Sequence, residues 1–305
     1  MCILYTLKES KMTSRREFLK SSAAALAATT VSGPLFAELY KKTKNVGIQL
    51  FTIPAMVAAD FKGTLTKLAA IGYKEIEFFG PYDFSAKETI DGWNQFAPRL
   101  GITKNALYGY KPSDVRELLK NLGLTTPSAH LDLLTLRTNL IPAAEGLSVL
   151  GTRYVVVPAI SNPADRSDFN KLADELSGFG EQLSKYGLKC VYHNHGYEHT
   201  PKDGKILMDT LLSQTDSKNV QFELDIFWMT AAGANPIDYL NKYPGRFISA
   251  HLSDWTADKK EVSVGQGVID WKAFFAAAKA GGVQNIFVEM SMDKFKDSAA
   301  YIHAL

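Results

Sequence analysis

The strongest constraint in this sequence is an alternation that repeats eight times from Val46 to the C-terminus. A short run of β-branched or aromatic residues is followed each time by a longer stretch with apolar residues every three or four positions. Consecutive parallel strands need a crossover of helical length, so this pattern belongs to a parallel sheet covered by helices. The predicted strands are Val46 to Phe51, Glu75 to Phe79, Thr125 to His130, Tyr154 to Val157, Lys189 to His193, Gln221 to Asp225, Phe247 to His251 and Asn285 to Glu289. Gly72, Gly101, Gly123, Gly151, Gly187 and Gly282 each fall after a helical stretch and before a strand, where a helix stop belongs. Eight βα units in about 260 residues have the size of a closed (β/α)8 TIM barrel, an α/β fold with a single domain over residues 44–305. An open doubly wound sheet would want a glycine fingerprint after the first strand, and Phe51 is followed instead by T-I-P-A-M. Tyr82 to Lys120 is longer than one βα unit needs and holds two helical patches, Ala86 to Leu100 and Pro112 to Asn121. It reads as an elaborated second unit, either part of a lid or a decorated loop.

A chain of 305 residues, 46% hydrophobic, can bury the core of such a barrel, and 34 basic against 32 acidic residues leave a net charge of +2. No overall charge therefore favours nucleic acid or an anionic membrane as partner. Residues 13–20, T-S-R-R-E-F-L-K, place Arg15 and Arg16 ahead of an apolar stretch from Ala23 to Val31. This resembles a twin-arginine export signal, so residues 1–40 are expected to be a leader outside the fold and the mature protein to be periplasmic. The apolar stretch is shorter than the roughly 20 residues of a membrane span, so no permanent span is expected. Of the two cysteines, Cys2 falls in the leader and Cys190 reads as a buried strand thiol.

Catalytic residues of a (β/α)8 barrel sit where strands end and loops open onto the rim. Here the strand ends are polar. The second strand carries Glu77, the third His130, and the fifth His193, with Asn194, His195 and Glu198 close behind. The sixth ends in Asp225, the seventh in His251 followed by Asp254, and the eighth in Glu289. Carboxylates and imidazoles that converge on one mouth need a cation or each other, and Asp225, His251 and Glu289 offer a mixed oxygen and nitrogen shell suited to Mn, Mg, Co or Zn. One of His193 and His195 is expected to meet the metal or the substrate; they share a face only if the strand runs on to His195. A strand-end aspartate can equally cap the following helix, and a single histidine can be a structural donor. Trp228, Tyr197 and Phe79 are candidates for stacking on a sugar or for plain core, Trp255 and Trp271 read as packing, and Asp270 reads as a helix N-cap.

The ordered motifs V-G-I-Q-L-F, I-G-Y-K-E-I-E-F, V-Y-H-N-H-G-Y-E, F-E-L-D-I-F-W, A-H-L-S-D-W, V-G-Q-G-V-I-D-W and F-V-E-M resemble those of the sugar phosphate isomerase/epimerase group of xylose-isomerase-like barrels. The resemblance runs from about Val46 to the C-terminus. It implies a metal shell of Asp225, His251 and Glu289 with a fourth ligand from strand five, entered here as His195. It also implies proton transfer by Glu289 with His193 or His195, and sugar contacts by Glu77, His130, Glu198 and Trp228. The chain departs from the family's ketose epimerases at strand five, where a glutamate gives way to His193 and His195, and at Trp228, where they carry a histidine. The activity implied is a metal-dependent sugar isomerase or epimerase that abstracts a proton beside a carbonyl through an enediolate. The alternatives are a 3-keto-glycoside lyase on the same site, a non-catalytic periplasmic sugar-binding barrel, and a nuclease like the AP endonucleases. The expected partner is a neutral sugar or keto-glycoside, with homo-oligomerisation left open and no nucleic acid.

Overall fold

The computed structural model describes residues 45–102 and 107–305; the expected leader lies outside the described residues. Among the described residues ten strands form in chain order: β1 Val46–Gln49, β2 Glu75–Glu77, β3 Ser128–His130, β4 Tyr154–Val157, β5 Lys189–His193, β6 Val220–Asp225, β7 Phe247–Leu252, β8 Asp254–Trp255, β9 Glu261–Val262 and β10 Asn285–Val288. Eight of them make one parallel sheet in the order β2-β1-β10-β7-β6-β5-β4-β3. Isolated parallel bridges Glu75 to Thr125 and Phe78 to Ala129 join its two edges, so the sheet curls into a nearly closed barrel. The predicted eightfold alternation is thus the observed one. Four of the predicted strands are shorter than read, two match and two run one residue further; β1 stops at Gln49 because Leu50–Thr52 turns into a 3-10 helix.

Burial explains why the strands read as near-continuous apolar runs. Every residue of β4, β6, β7 and β10 is buried, since helices cover the outside and side chains fill the inside. Cys190 on β5 is fully buried, and loss of solvent pushes its thiol up to about 12, as a buried strand thiol should be. The helices stop where glycine permits a left-handed residue: Gly72 (φ 118°) and Gly151 (φ 98°) close Phe61–Ile71 and Leu140–Leu150. The elaborated second unit carries helices Lys87–Phe96 and Pro112–Asn121, close to the two patches read from sequence. Among the described residues no helix is long and apolar enough to cross a membrane.

One irregularity matters for the site. Between β6 and β7 the register shifts at Phe222 and Glu223, so that Phe222 pairs with Phe247 but Glu223 pairs with Ser249. This bulge brings Glu223 opposite Ser249 and Asp225 opposite His251, aligning one polar pair above another.

Candidate active site

Period-two alternation on β6 turns Glu223 and Asp225 to the same side, inside the barrel. Neighbouring strands add His193 from β5, His251 from β7, His130 from β3 and Glu77 from β2, all buried. Glu289 follows β10 and is the most open carboxylate of the set, its side chain 24% exposed. Two groups of donor atoms result, each clustered within 4.8 Å: Asp225, His251 and Glu289 at the mouth, and His130, His193, Glu223 and His251 beneath.

Distances fix the arrangement. His251 Nδ1 lies 2.8 Å from Glu289 Oε2 and 3.9 Å from Asp225 Oδ2, while its Nε2 lies 2.6 Å from Glu77 Oε2 and 3.0 Å from Glu223 Oε2. His193 is split in the same way, with Nδ1 3.1 Å from Glu223 Oε2 and Nε2 3.9 Å from Asp225 Oδ2. His130 Nε2 bridges Glu77 and Glu223 at 3.1 and 3.2 Å. The buried carboxylates are held in turn. Ser249 Oγ donates to Glu223 (2.7 Å), Gln49 Nε2 donates to Glu77 (3.1 Å), and Ser128 Oγ donates to Glu77 as well.

Asp225 does two jobs. Its Oδ1 accepts the Trp228 N–H at 2.8 Å and caps the helix Ile226–Ala231, leaving Oδ2 to face the two histidines. The helix-cap reading of this aspartate therefore holds, and its second oxygen is left to the mouth. Asn194 ties the ends of β5 and β6 together, accepting the Asp225 N–H at 2.9 Å and donating to its carbonyl at 3.4 Å.

The electrostatics follow from burial and charge. Burial opposes ionisation of His251, yet the carboxylates of Glu223, Glu77 and Glu289 hold its imidazolium well above the ordinary range. Burial likewise opposes a charged His130, but Glu77 and Glu223 raise it to about 9. Burial and the neighbouring Glu289 charge push Asp225 up to about 8. Glu289 falls to about 2, because the His251 charge and hydrogen bond outweigh its desolvation. His195 is pushed down to about 3, first by burial and then by His193, so it is a neutral imidazole at pH 7.

The structure places His193, Asp225, His251 and Glu289 around one space. His195 stands at its edge: β5 ends at His193, so His195 is off the strand, its ring 5.0 Å from that of His193 and 5.2 Å from Trp228, with Nδ1 buried and unpartnered. It is in neither donor group, and His193 is the strand-five histidine that is. The expected sugar contacts Glu77 and Glu198 are fully buried, with their oxygens taken by the chain itself. Glu198 accepts the His195 N–H (2.9 Å) and the Tyr192 hydroxyl (2.7 Å), so it orients His195. Tyr197 offers no free face for a sugar. The Arg166 guanidinium covers its ring at 3.6 Å, the His195 ring stacks at 6.0 Å, and its hydroxyl accepts the Ile160 N–H. Phe79 is likewise buried between Phe51 and Trp93. Trp228 stays half-buried beside His195 and Phe227. Asp254 is structural, accepting from Gly265 N, Gly267 N and Trp271 Nε1. Asp270 caps the helix Trp271–Ala280, as read from sequence.

Glu223 is the residue that sequence reasoning missed. Its signal was its position two residues before Asp225, on the same strand and face, inside an otherwise apolar run.

Downstream of this loop, His199 is buried against Tyr239 with both ring nitrogens unpartnered, and burial lowers it to about 4. As pH falls through about 6.5 the unfolded chain takes this proton before the folded one, so stability is lost down to about pH 4. The shift corresponds to at most ~3 kcal/mol at ~1.4 kcal/mol per unit. Urea unfolding of His199→Phe is expected to show a shallower loss between these pH values; an unchanged slope would clear His199 of any part in acid sensitivity.

Residues 65–304 match the family model of the xylose isomerase-like TIM barrel. The chain belongs to this family. An inosose dehydratase from Geobacillus thermodenitrificans is 28% identical over 142 residues, an alignment that spans 40% of this chain and 46% of that protein. Among solved structures, a sugar phosphate isomerase/epimerase from Parabacteroides distasonis superposes with TM-score 0.70 at 21% identity, covering 91% of this chain and 96% of its own. The IOLI protein with a bound zinc atom superposes with TM-score 0.58 at 18% identity, covering 85% and 93%. These barrels share the fold, and the chain spans less than half the length of the curated dehydratase.

Proposed function

We propose that this xylose isomerase-like barrel is a divalent-metal-dependent lyase that removes the proton beside the carbonyl of a neutral keto-sugar and expels the oxygen substituent on the next carbon. The observation that carries the reading is the composition of the mouth. Asp225, His251 and Glu289 turn oxygen and nitrogen donors to one space, with His193 Nε2 3.9 Å from Asp225 Oδ2, and that mixed set fits a divalent cation without sulfur ligands. The zinc bound by the IOLI relative and the dehydration named for the Geobacillus relative support the same reading. A cation there would polarise the substrate carbonyl and its neighbouring hydroxyl, making the adjacent C–H more acidic.

The chain's own residues handle the proton. His195, a neutral imidazole at the edge of the mouth, is the acceptor, and Glu289 is ionised beside it. When the C–H bond breaks, its electron pair forms the new C=C bond as the neighbouring C–O bond breaks. The departing oxygen takes back one proton. An imidazole that has just accepted a proton can return it to that oxygen, so elimination needs no second carboxylate. Epimerisation does need an acid on the opposite face, and where ketose epimerases carry a strand-five glutamate this chain has His193. Export by the leader, also a proposal, fits an unphosphorylated substrate.

The test is incubation of the Mn(II)-loaded protein with 3-keto-glycosides bearing a chromophoric aglycone in D2O. Aglycone release is the expected result. Deuterium uptake beside the carbonyl without release would replace elimination by isomerisation or epimerisation, and binding with neither would make the barrel a sugar-binding module.

A further inference from the structure

We propose that Glu223 is a positioning residue that sets the tautomer of His193, so that its Nε2 turns a lone pair to the mouth. The inference rests on the metal reading of that mouth, and it assigns a role to a residue that touches neither substrate nor solvent.

The geometry is that of one carboxylate oxygen collecting two ring nitrogens. Glu223 Oε2 is 3.1 Å from His193 Nδ1 and 3.0 Å from His251 Nε2. An ionised carboxylate accepts hydrogen bonds and donates none, so each nitrogen facing it carries the proton. The opposite nitrogen of His193, Nε2, is left facing Asp225 Oδ2 at 3.9 Å, whereas His251 Nδ1 meets Glu289 Oε2 at 2.8 Å and that ring is protonated on both nitrogens. One buried charge thereby orients two rings in opposite senses: His193 through Nδ1 and His251 through Nε2. Glu77 reinforces the choice for His251 alone, at 2.6 Å from Nε2.

Glu223 itself is not free to turn. Its Oε1 accepts from Ser249 Oγ at 2.7 Å, and the β6–β7 bulge is what sets Glu223 opposite Ser249. Metal-ligating histidines commonly donate their second N–H to a carboxylate that fixes ring orientation and raises ligand basicity, and loss of that partner costs 10–100-fold in affinity. The lower donor group could instead hold a cation of its own. Against this, its one carboxylate, Glu223, already accepts from Ser249, and the neighbouring Glu77 is engaged by Ser128 and Gln49.

The test begins with metal-free wild-type protein labelled with 15N-histidine, the His193 resonance assigned by its loss in His193→Gln. Ring-nitrogen correlation spectra at pH 8 are expected to show His193 as the Nδ1–H tautomer, the minor form in free histidine. Glu223→Leu is expected to shift it towards Nε2–H and to weaken Co(II) binding by about 10–100-fold. Glu223→Gln, whose carbonyl still accepts, is expected to keep the tautomer and recover most of the affinity. An Nε2–H tautomer in the wild type overturns the proposal whether or not any variant folds. So does a folded Glu223→Leu with unchanged tautomer and Co(II) affinity, or binding of two Co(II) per chain of which Glu223→Leu loses one. None of these readouts involves a sugar, so failure here is separable from failure of the lyase reading.

Discussion

Glu289→Gln is expected to lower kcat for aglycone release by about 10³-fold or more while the protein stays folded. Groups that act on a proton in the transition state contribute about 10²–10⁴-fold, and this carboxylate also supplies one of the oxygens of the mouth. The substitution preserves side-chain volume and leaves an acceptor for His251 Nδ1, now 2.8 Å from the carboxylate. It removes only the charge. The side chain is also the most open carboxylate of the set, so its loss disturbs little packing. Steady-state kinetics with thermal unfolding of the same preparation checks both halves. Full activity would remove Glu289 from the mechanism, and a collapse in stability would make the kinetic loss uninformative about chemistry.

Removal of divalent cations by chelation is the second large effect. Turnover is expected to fall to background and to return on addition of Mn(II) or Co(II). The melting temperature should fall on removal, because a cation that binds only the folded chain stabilises it by about RT ln(1 + [L]/Kd), or ~2.7 kcal/mol at 100-fold saturation. The sign is reinforced by the charges at the site. Without a cation, Asp225 and Glu289 face each other's field in a buried mouth, and burial together with Glu289 pushes Asp225 up to about 8. Differential scanning fluorimetry across a metal series gives the shift. Turnover that survives exhaustive chelation would contradict a metal-dependent reaction.

Much of this was legible in the residues, for physical reasons that differ from site to site. The barrel was readable because a sheet covered on both faces forces apolar runs, and β4 and β10 contain little else. Asp225, His251 and Glu289 stood out because a charge that ends such a run sits at the rim. Glu223 did not stand out. Its only mark in the sequence is the strand and face it shares with Asp225, and its partners Ser249, His130 and His193 come from three other strands. The strand-five histidines were ambiguous for a similar reason, since which of them faces inward depends on where the hydrogen-bond ladder stops. It stops at His193. Glu77 was found as a polar strand residue but expected at the sugar, because its depth below His251 is set by the β1–β2 register rather than by its own sequence. The small hairpin of β8 and β9 was invisible, as two-residue strands carry no periodicity.

The central claim is one divalent cation held where β5, β6, β7 and β10 end. A crystal of the Mn(II)- or Zn(II)-loaded protein, examined for anomalous scattering, tests it most directly. The expected result is a single strong peak about 2.0–2.3 Å from Asp225 Oδ2, His251 Nδ1, Glu289 Oε2 and His193 Nε2. No peak at the mouth, or a peak bound only by Glu77, His130 and Glu223 beneath it, would contradict it.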